Sequence, residues 1–230
     1  MFHRRVNNTG VSALHVVNAD GSNDRLLLDT LFHDRDASWA PDGSRIAFAC
    51  DRFGQPGVHD VCAVAPDGTN LRRIAAVGGA SYPAWSPDGS RVAYTYRSSG
   101  GAVRIWVARV DGSPPVNLSP PVMSYEFDWS PDGARLLLAV SDGTYGFATV
   151  NRDGTSYARL PVATMSGYAN WSPDGTKVVS DIMLSGRRVV AVMNPDGSGV
   201  RVLEPLGSAT MYRTLWNPKT RLATGAQAGN

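Results

Sequence analysis

The sequence predicts an all-β chain: a β-propeller of four-stranded antiparallel blades, with five repeats visible in 230 residues. Three observations carry this. The word Trp85-Ser86-Pro87-Asp88-Gly89 returns as Trp129-Ser130-Pro131-Asp132-Gly133 and Trp171-Ser172-Pro173-Asp174-Gly175. It recurs with one change as Trp39-Ala40-Pro41-Asp42-Gly43 and in degraded form as Trp216-Asn217-Pro218-Lys219-Thr220, at Trp-to-Trp intervals of 46, 44, 42 and 45 residues. A second word, Asp-Gly-Ser/Thr, begins at Asp20, Asp67, Asp111, Asp153 and Asp196, spaced by 47, 44, 42 and 43 residues. Short apolar runs flank both words, giving four strands in each period, and a period of about 40–45 residues with four strands is that of a propeller blade.

Each element of the repeat has a local reason. Strand A ends at the Trp, whose large apolar body faces a neighbouring layer. Ser-Pro-Asp-Gly then fits a tight turn: Pro is preset for its second position, Asp bonds its own backbone, and Gly accepts the positive φ that closes the hairpin. Strand B follows as a basic residue and an apolar run, such as Arg45-Ile46-Ala47-Phe48 or Arg135-Leu136-Leu137-Leu138. Such a run bounded by turn signals reads as a buried strand. Strand C precedes the second word, as in Val61-Cys62-Ala63-Val64, and strand D follows it, as in Arg72-Arg73-Ile74. No stretch keeps a 3.6-residue period with caps, so almost no helix is expected, and Pro-Asp-Gly inside every repeat excludes an α-solenoid.

The unbroken repeat argues for a single domain over 1–230 that starts and ends inside a blade. Residues 2–5 align with the end of a strand B, while the C-terminal stretch supplies a strand A near Tyr212–Trp216 and a strand B near Arg221–Ala226. Five blades closed on themselves and part of a six-bladed ring are both compatible with this count. A monomer is expected.

Composition bounds the function. The net charge of +2 comes with interspersed signs and no basic block, so nucleic-acid binding finds no support. No apolar run reaches the roughly 18–20 residues of a membrane-spanning helix, so membrane insertion is not expected. Met1–Asn7 has basic residues but no apolar segment after them, so it does not read as a secretory signal. A cytoplasmic protein or a piece of a longer one is the expectation from that stretch. Cys50 and Cys62 fall on successive strands, and one hairpin register would set them opposite each other. A cross-strand disulfide and two buried thiols both fit.

Trp-Ser-Pro-Asp-Gly, an apolar strand, then Asn-x-Asp-Gly-Ser/Thr resembles the TolB-type propeller repeat, and the resemblance covers essentially the whole chain. TolB is a periplasmic component of the Tol–Pal cell-envelope system. The resemblance therefore implies a periplasmic or otherwise extracytoplasmic, non-catalytic scaffold that binds a protein or peptide and needs no cofactor. Related repeats form the propeller domains of dipeptidyl peptidase IV-like and prolyl oligopeptidase-like serine peptidases, whose catalytic domain would be absent here, and of oligogalacturonate lyases. The repeat names an architecture that several functions share.

The turn words lie on one face and are structural. A calcium role fails because no Asp-x-Asp-x-Asp-Gly run occurs. The opposite face carries the B–C and D–A loops, which differ between repeats, and varied loops on a rigid scaffold are where binding sites usually lie. Tyr82, Tyr125, Tyr168 and Tyr212 precede the strand-A Trp by three or four residues, and the first complete repeat has Arg35 and Asp36 there instead. Asp34, Arg35, Asp36, Tyr82, Tyr125, Glu126, Tyr168, Tyr212 and Arg213 form the candidate binding rim, with inter-blade packing as the competing role of the tyrosines. Catalytic patterns are missing: the chain has no His-Glu-x-x-His and no Gly-x-Ser-x-Gly, and His3, His15, His33 and His59 cluster in the first 60 residues. His33 beside Asp34 could move protons, but no nucleophile matches it. His15 and His59 read as satisfied strand histidines.

Overall fold

The computed structural model describes residues 2–5, 12–29, 31–54, 56–118, 123–163 and 168–205. Every regular element among them is a strand. The chain divides into two compact units, Met1–Asn117 and Leu118–Asn230. In the first unit, β1 (Phe2–Arg5), β2 (Ser12–Val16) and β3 (Arg25–Leu26) form a three-stranded sheet. β4 (Asp34–Trp39), β5 (Ile46–Cys50), β6 (Asp60–Val64) and β7 (Arg72–Ala75) form a four-stranded one, as do β8 (Ala80–Trp85), β9 (Arg91–Arg97), β10 (Val103–Arg109) and β11 (Val116–Asn117). The second unit holds the sheets of β12 (Met123–Trp129), β13 (Arg135–Ser141), β14 (Tyr145–Asn151) and β15 (Ala158–Ala163), and of β16 (Ala169–Trp171), β17 (Val178–Leu184), β18 (Arg187–Met193) and β19 (Arg201–Pro205). Strands follow chain order in each sheet, and every pairing is antiparallel. β1 takes the B position beside β2, as residues 2–5 predict. The expected strands near Tyr212–Trp216 and Arg221–Ala226 lie outside the described residues.

The Pro-Asp-Gly word forms one hydrogen-bonded device four times. The amides of Gly43, Gly89, Gly133 and Gly175 donate to the carbonyls of Ala40, Ser86, Ser130 and Ser172 at 2.8–2.9 Å. These glycines have φ of 65–71°, the left-handed region where a side chain is strained. The Asp carboxylate caps the loop by accepting the amide two residues on, as Asp88 does from Ser90 at 3.0 Å. Ser86 Oγ donates to Asp88 at 2.6 Å and accepts the Arg91 amide at 3.0 Å. The Ser86 hydroxyl is the main force holding the Asp88 carboxyl down at about 2. Ala40 lacks both bonds, so Ser recurs in the word because its hydroxyl ties the two strands together.

Packing between sheets explains the Trp. Trp85 sits in a cluster with Ala40, Ala47 and Ala63 of the preceding sheet and Val92, Tyr94 and Ala108 of its own. Trp171 does the same against Leu137, Ala139 and Phe147, with the Arg135 guanidinium over its ring at 5.0 Å. Trp106 packs against the Trp85 cluster and meets Tyr96 edge-on at 5.9 Å. A third cluster joins Leu14 and Leu27 to Ile46, Phe48, Val64 and a Cys50–Cys62 disulfide, with Cα atoms 6.0 Å apart. The register corrects one expectation: Phe48 opposes Cys62 and Cys50 opposes Asp60, so the bridge runs diagonally. Its Cα spacing suits a disulfide.

Candidate functional site

Three of the strands that carry the rim, β4, β8 and β12, are bulged. Pairing of β4 with β5 shifts between Arg35 and Ser38, and pairing of β8 with β9 shifts between Ser81 and Ala84. At the bulges Asp36 and Tyr82 adopt φ of 55° and 51°. Non-glycine residues rarely enter this region, and bulges re-aim side chains next to functional sites. β12 shifts between Ser124 and Glu126, which puts Tyr125 at the same place in its blade. For Tyr82 and Tyr125 the position read from sequence is thus that of a bulge, whereas Tyr168 directly precedes β16, which pairs with β17 without a shift.

Neighbouring sheets hold the first two bulges in place. Arg35 Nη2 donates to Ser81 Oγ at 3.2 Å, and the Tyr82 amide donates to Asp36 Oδ2 at 3.4 Å. Thr95 Oγ1 donates to the Ser81 carbonyl at 2.9 Å. The Tyr82 residue remains 62% exposed on this fixed backbone.

Asp34 is not a rim residue, contrary to the sequence expectation. It is fully buried, and Arg52 Nε reaches both of its oxygens at 3.0 and 2.9 Å. The same guanidinium donates to the Asp29 carbonyl at 2.9 Å and carboxylate at 3.1 Å, and it covers the Phe32 ring at 4.8 Å. Arg52 therefore fastens the loop before β4 to the loop after β5. Asp51 adds to this by accepting the amides of His33 at 2.8 Å and Gly57 at 2.9 Å. Asp60 likewise accepts the amides of Val77 and Gly78 at 2.9 and 3.0 Å and pairs with Arg73. Asp51 and Arg52 fall in a B–C loop, and the one sign of this clamp in the sequence is a charged pair directly after the all-apolar Ile46–Cys50.

Burial pushes the Asp34 carboxyl up to about 6, against the opposing pull of Arg52. The folded value then exceeds the unfolded 3.8, so the folded state holds the extra proton between these limits. Stability from this group falls as pH rises from about 4 to about 6 and is level above, a change of roughly 2–3 kcal/mol. Urea melts of Asp34→Asn against the parent across that window are expected to lose this slope, and the Asp34 carboxyl carbon should titrate near 6 by NMR. A midpoint below about 4 would refute the assignment.

His59 is buried, and its Nδ1 lies 3.1 Å from the Gly57 carbonyl. Burial and then the Arg35 charge lower its pKa, so the ring is neutral, Nδ1–H donates to Gly57, and Nε2 is an enclosed acceptor without a hydrogen-bond partner. This differs from the satisfied histidine expected. His15, by contrast, pairs with Asp24 at 2.7 Å. In the second unit, Glu126 and Tyr168 line one small cavity with Phe127, Leu137 and Asn170. Tyr212, Arg213 and the side chain of Tyr125 lie outside the described residues. Among the described residues no three His, Cys, Asp or Glu groups converge as metal ligands.

Residues 4–168 match the family model of the TolB beta propeller domain. The chain belongs to the TolB β-propeller family. No curated protein matches the sequence. Among solved structures it is similar to TolB from Acinetobacter baumannii (18% identity, 84% of this chain and 48% of that one, TM-score 0.60). It is also similar to a putative TolB from Agrobacterium tumefaciens (20% identity, 84% and 70%, TM-score 0.62). A third is an oligogalacturonate lyase from Vibrio parahaemolyticus (14% identity, 91% and 63%, TM-score 0.66). The chain thus spans about half the length of the Acinetobacter protein. At these identities the likeness establishes a TolB-like propeller fold, shared by TolB proteins and by enzymes.

Proposed function

We propose that this TolB-like propeller is a non-catalytic scaffold that binds a protein or peptide on the loop-rich face of its blades, in a periplasmic or otherwise extracytoplasmic setting. The observation that carries the reading is Tyr82: a large, exposed aromatic held at positive φ on a bulge that the neighbouring sheet fixes by two hydrogen bonds. Exposed aromatics on a rigid backbone bind at low entropic cost. The Cys50–Cys62 disulfide supports an oxidising compartment.

Selection of a random phage-displayed peptide library against the chain tests this. Clones are expected whose binding drops by roughly tenfold or more on Tyr82→Asn, a change that keeps a residue tolerant of positive φ. If no selected clone responds to that substitution, the rim is not the binding surface. The likeness to an oligogalacturonate lyase bound to manganese supplies the competing reading. Manganese-dependent cleavage of oligogalacturonate by the purified chain would replace the scaffold with an enzyme.

A further inference from the structure

We infer that the loop-rich face of the first unit takes an acidic, aromatic- or leucine-bearing peptide segment; this rests on the peptide-binding reading above and names the chemistry of the partner. The argument is an asymmetry of exposure. Carboxylates on this face point inward or are spent on the backbone. Asp34 is buried under Arg52, Asp51 caps two amides, Asp60 caps two more, and Asp36 accepts the Tyr82 amide. Asp29 is the open one, 55% exposed, and it too is bonded to Arg52.

Three arginines do the reverse, unlike the buried Arg52. The Arg35 side chain is 43% exposed, gives one nitrogen to Ser81, and lies 3.8 Å from Asp36. Arg73 is 42% exposed, donates one nitrogen to Asp60 at 3.3 Å, and lies over the exposed Phe53 ring at 5.4 Å. The Arg97 side chain, at the end of β9, is exposed and donates a long 3.4 Å bond to the Gly101 carbonyl. The Arg35 and Arg73 guanidinium groups therefore stand outward beside Tyr82 and Phe53, with Asp36 and Asp60 held beneath them, and Arg97 adds a third exposed positive charge. Arginine and aromatic side chains are the residue types that anchor protein interfaces, and Arg forks match carboxylates in geometry as well as charge. The partner that fits is a segment alternating acidic and large apolar residues.

The probe is a fluorescein-labelled synthetic peptide alternating Glu with Phe and Leu, with a second peptide carrying Lys at every Glu position. Anisotropy titrations of the whole chain should show the acidic peptide binding more tightly and weakening as sodium chloride is raised. Arg35→Gln, Arg73→Gln and Arg97→Gln should each weaken it by roughly three- to tenfold, while Arg109→Gln, on the turn-word face, should leave it unchanged. Equal or tighter binding of the Lys peptide, or indifference to all three substitutions, overturns the inference. So does Arg-dependent binding of oligogalacturonate without binding of the acidic peptide. Library clones that need Tyr82 yet carry no acidic bias would overturn the inference alone and leave the scaffold reading standing. Failure of every peptide, with an empty selection, would remove both.

Discussion

Trp85→Ala is expected to destabilise the first unit by about 3–5 kcal/mol, the range for removing a buried Trp from a packed core. The number follows from what surrounds the ring. Its cluster draws Ala40, Ala47, Val61, Ala63 and Ala75 from the preceding sheet, four alanines and one valine held by their own strands, which fill little of the space it leaves. Its indole nitrogen has no hydrogen-bond partner, so the contribution is packing alone. Trp39 is the internal contrast: it ends the equivalent strand but is 40% exposed, and Trp39→Ala should cost under about 2 kcal/mol. Urea melts supply the magnitudes, and hydrogen exchange supplies the location. Protection should fall across Asp34–Asn117 and hold across β12–β19. A melt unchanged by Trp85→Ala would mean that the repeated Trp does not join the sheets.

The repeat was legible because its turns are chemically forced. Pro fixes one torsion, Gly accepts another, and Asp and Ser close the loop with side-chain bonds, so each turn marks the strand ends on either side of it. The bulges were not legible in the same way. Asp36 and Tyr82 take positive φ with no glycine to announce it; the cause is tertiary, a pair of bonds from the next sheet. Only their recurrence three or four residues before the Trp hinted at them. The register of β5 on β6 was hidden for another reason. Ile46-Ala47-Phe48-Ala49-Cys50 is buried on both faces, so no alternation of polar and apolar residues pins it, and a shift by two leaves the pattern intact. Asp34 illustrates a third limit. An acidic residue beside His33 at a strand start reads as a loop residue, and only Arg52, 18 positions away, reveals that it is buried.

The disulfide carries the other large effect. Removing it with Cys50→Ala and Cys62→Ala together should cost about 2–4 kcal/mol, since a closed loop of this size restricts the unfolded chain by roughly 3 kcal/mol. The sequence separation is 12, and that interval contains the Asp51 and Arg52 clamp. The ladder between β5 and β6 should survive, because its backbone bonds do not depend on the sulfurs. Exchange protection should instead fall first at Gly57 and His33, the two amides that Asp51 holds. Dithiothreitol added to the parent protein under unfolding conditions should reproduce the loss, and the double variant should not respond to it. The size of the loss bears on function. Whole domains are stable by only about 5–15 kcal/mol, so a unit that loses about 3 on reduction is best suited to an oxidising compartment. A loss below about 1 kcal/mol would show that the unit folds without the bridge, and would withdraw the disulfide as support for an extracytoplasmic setting.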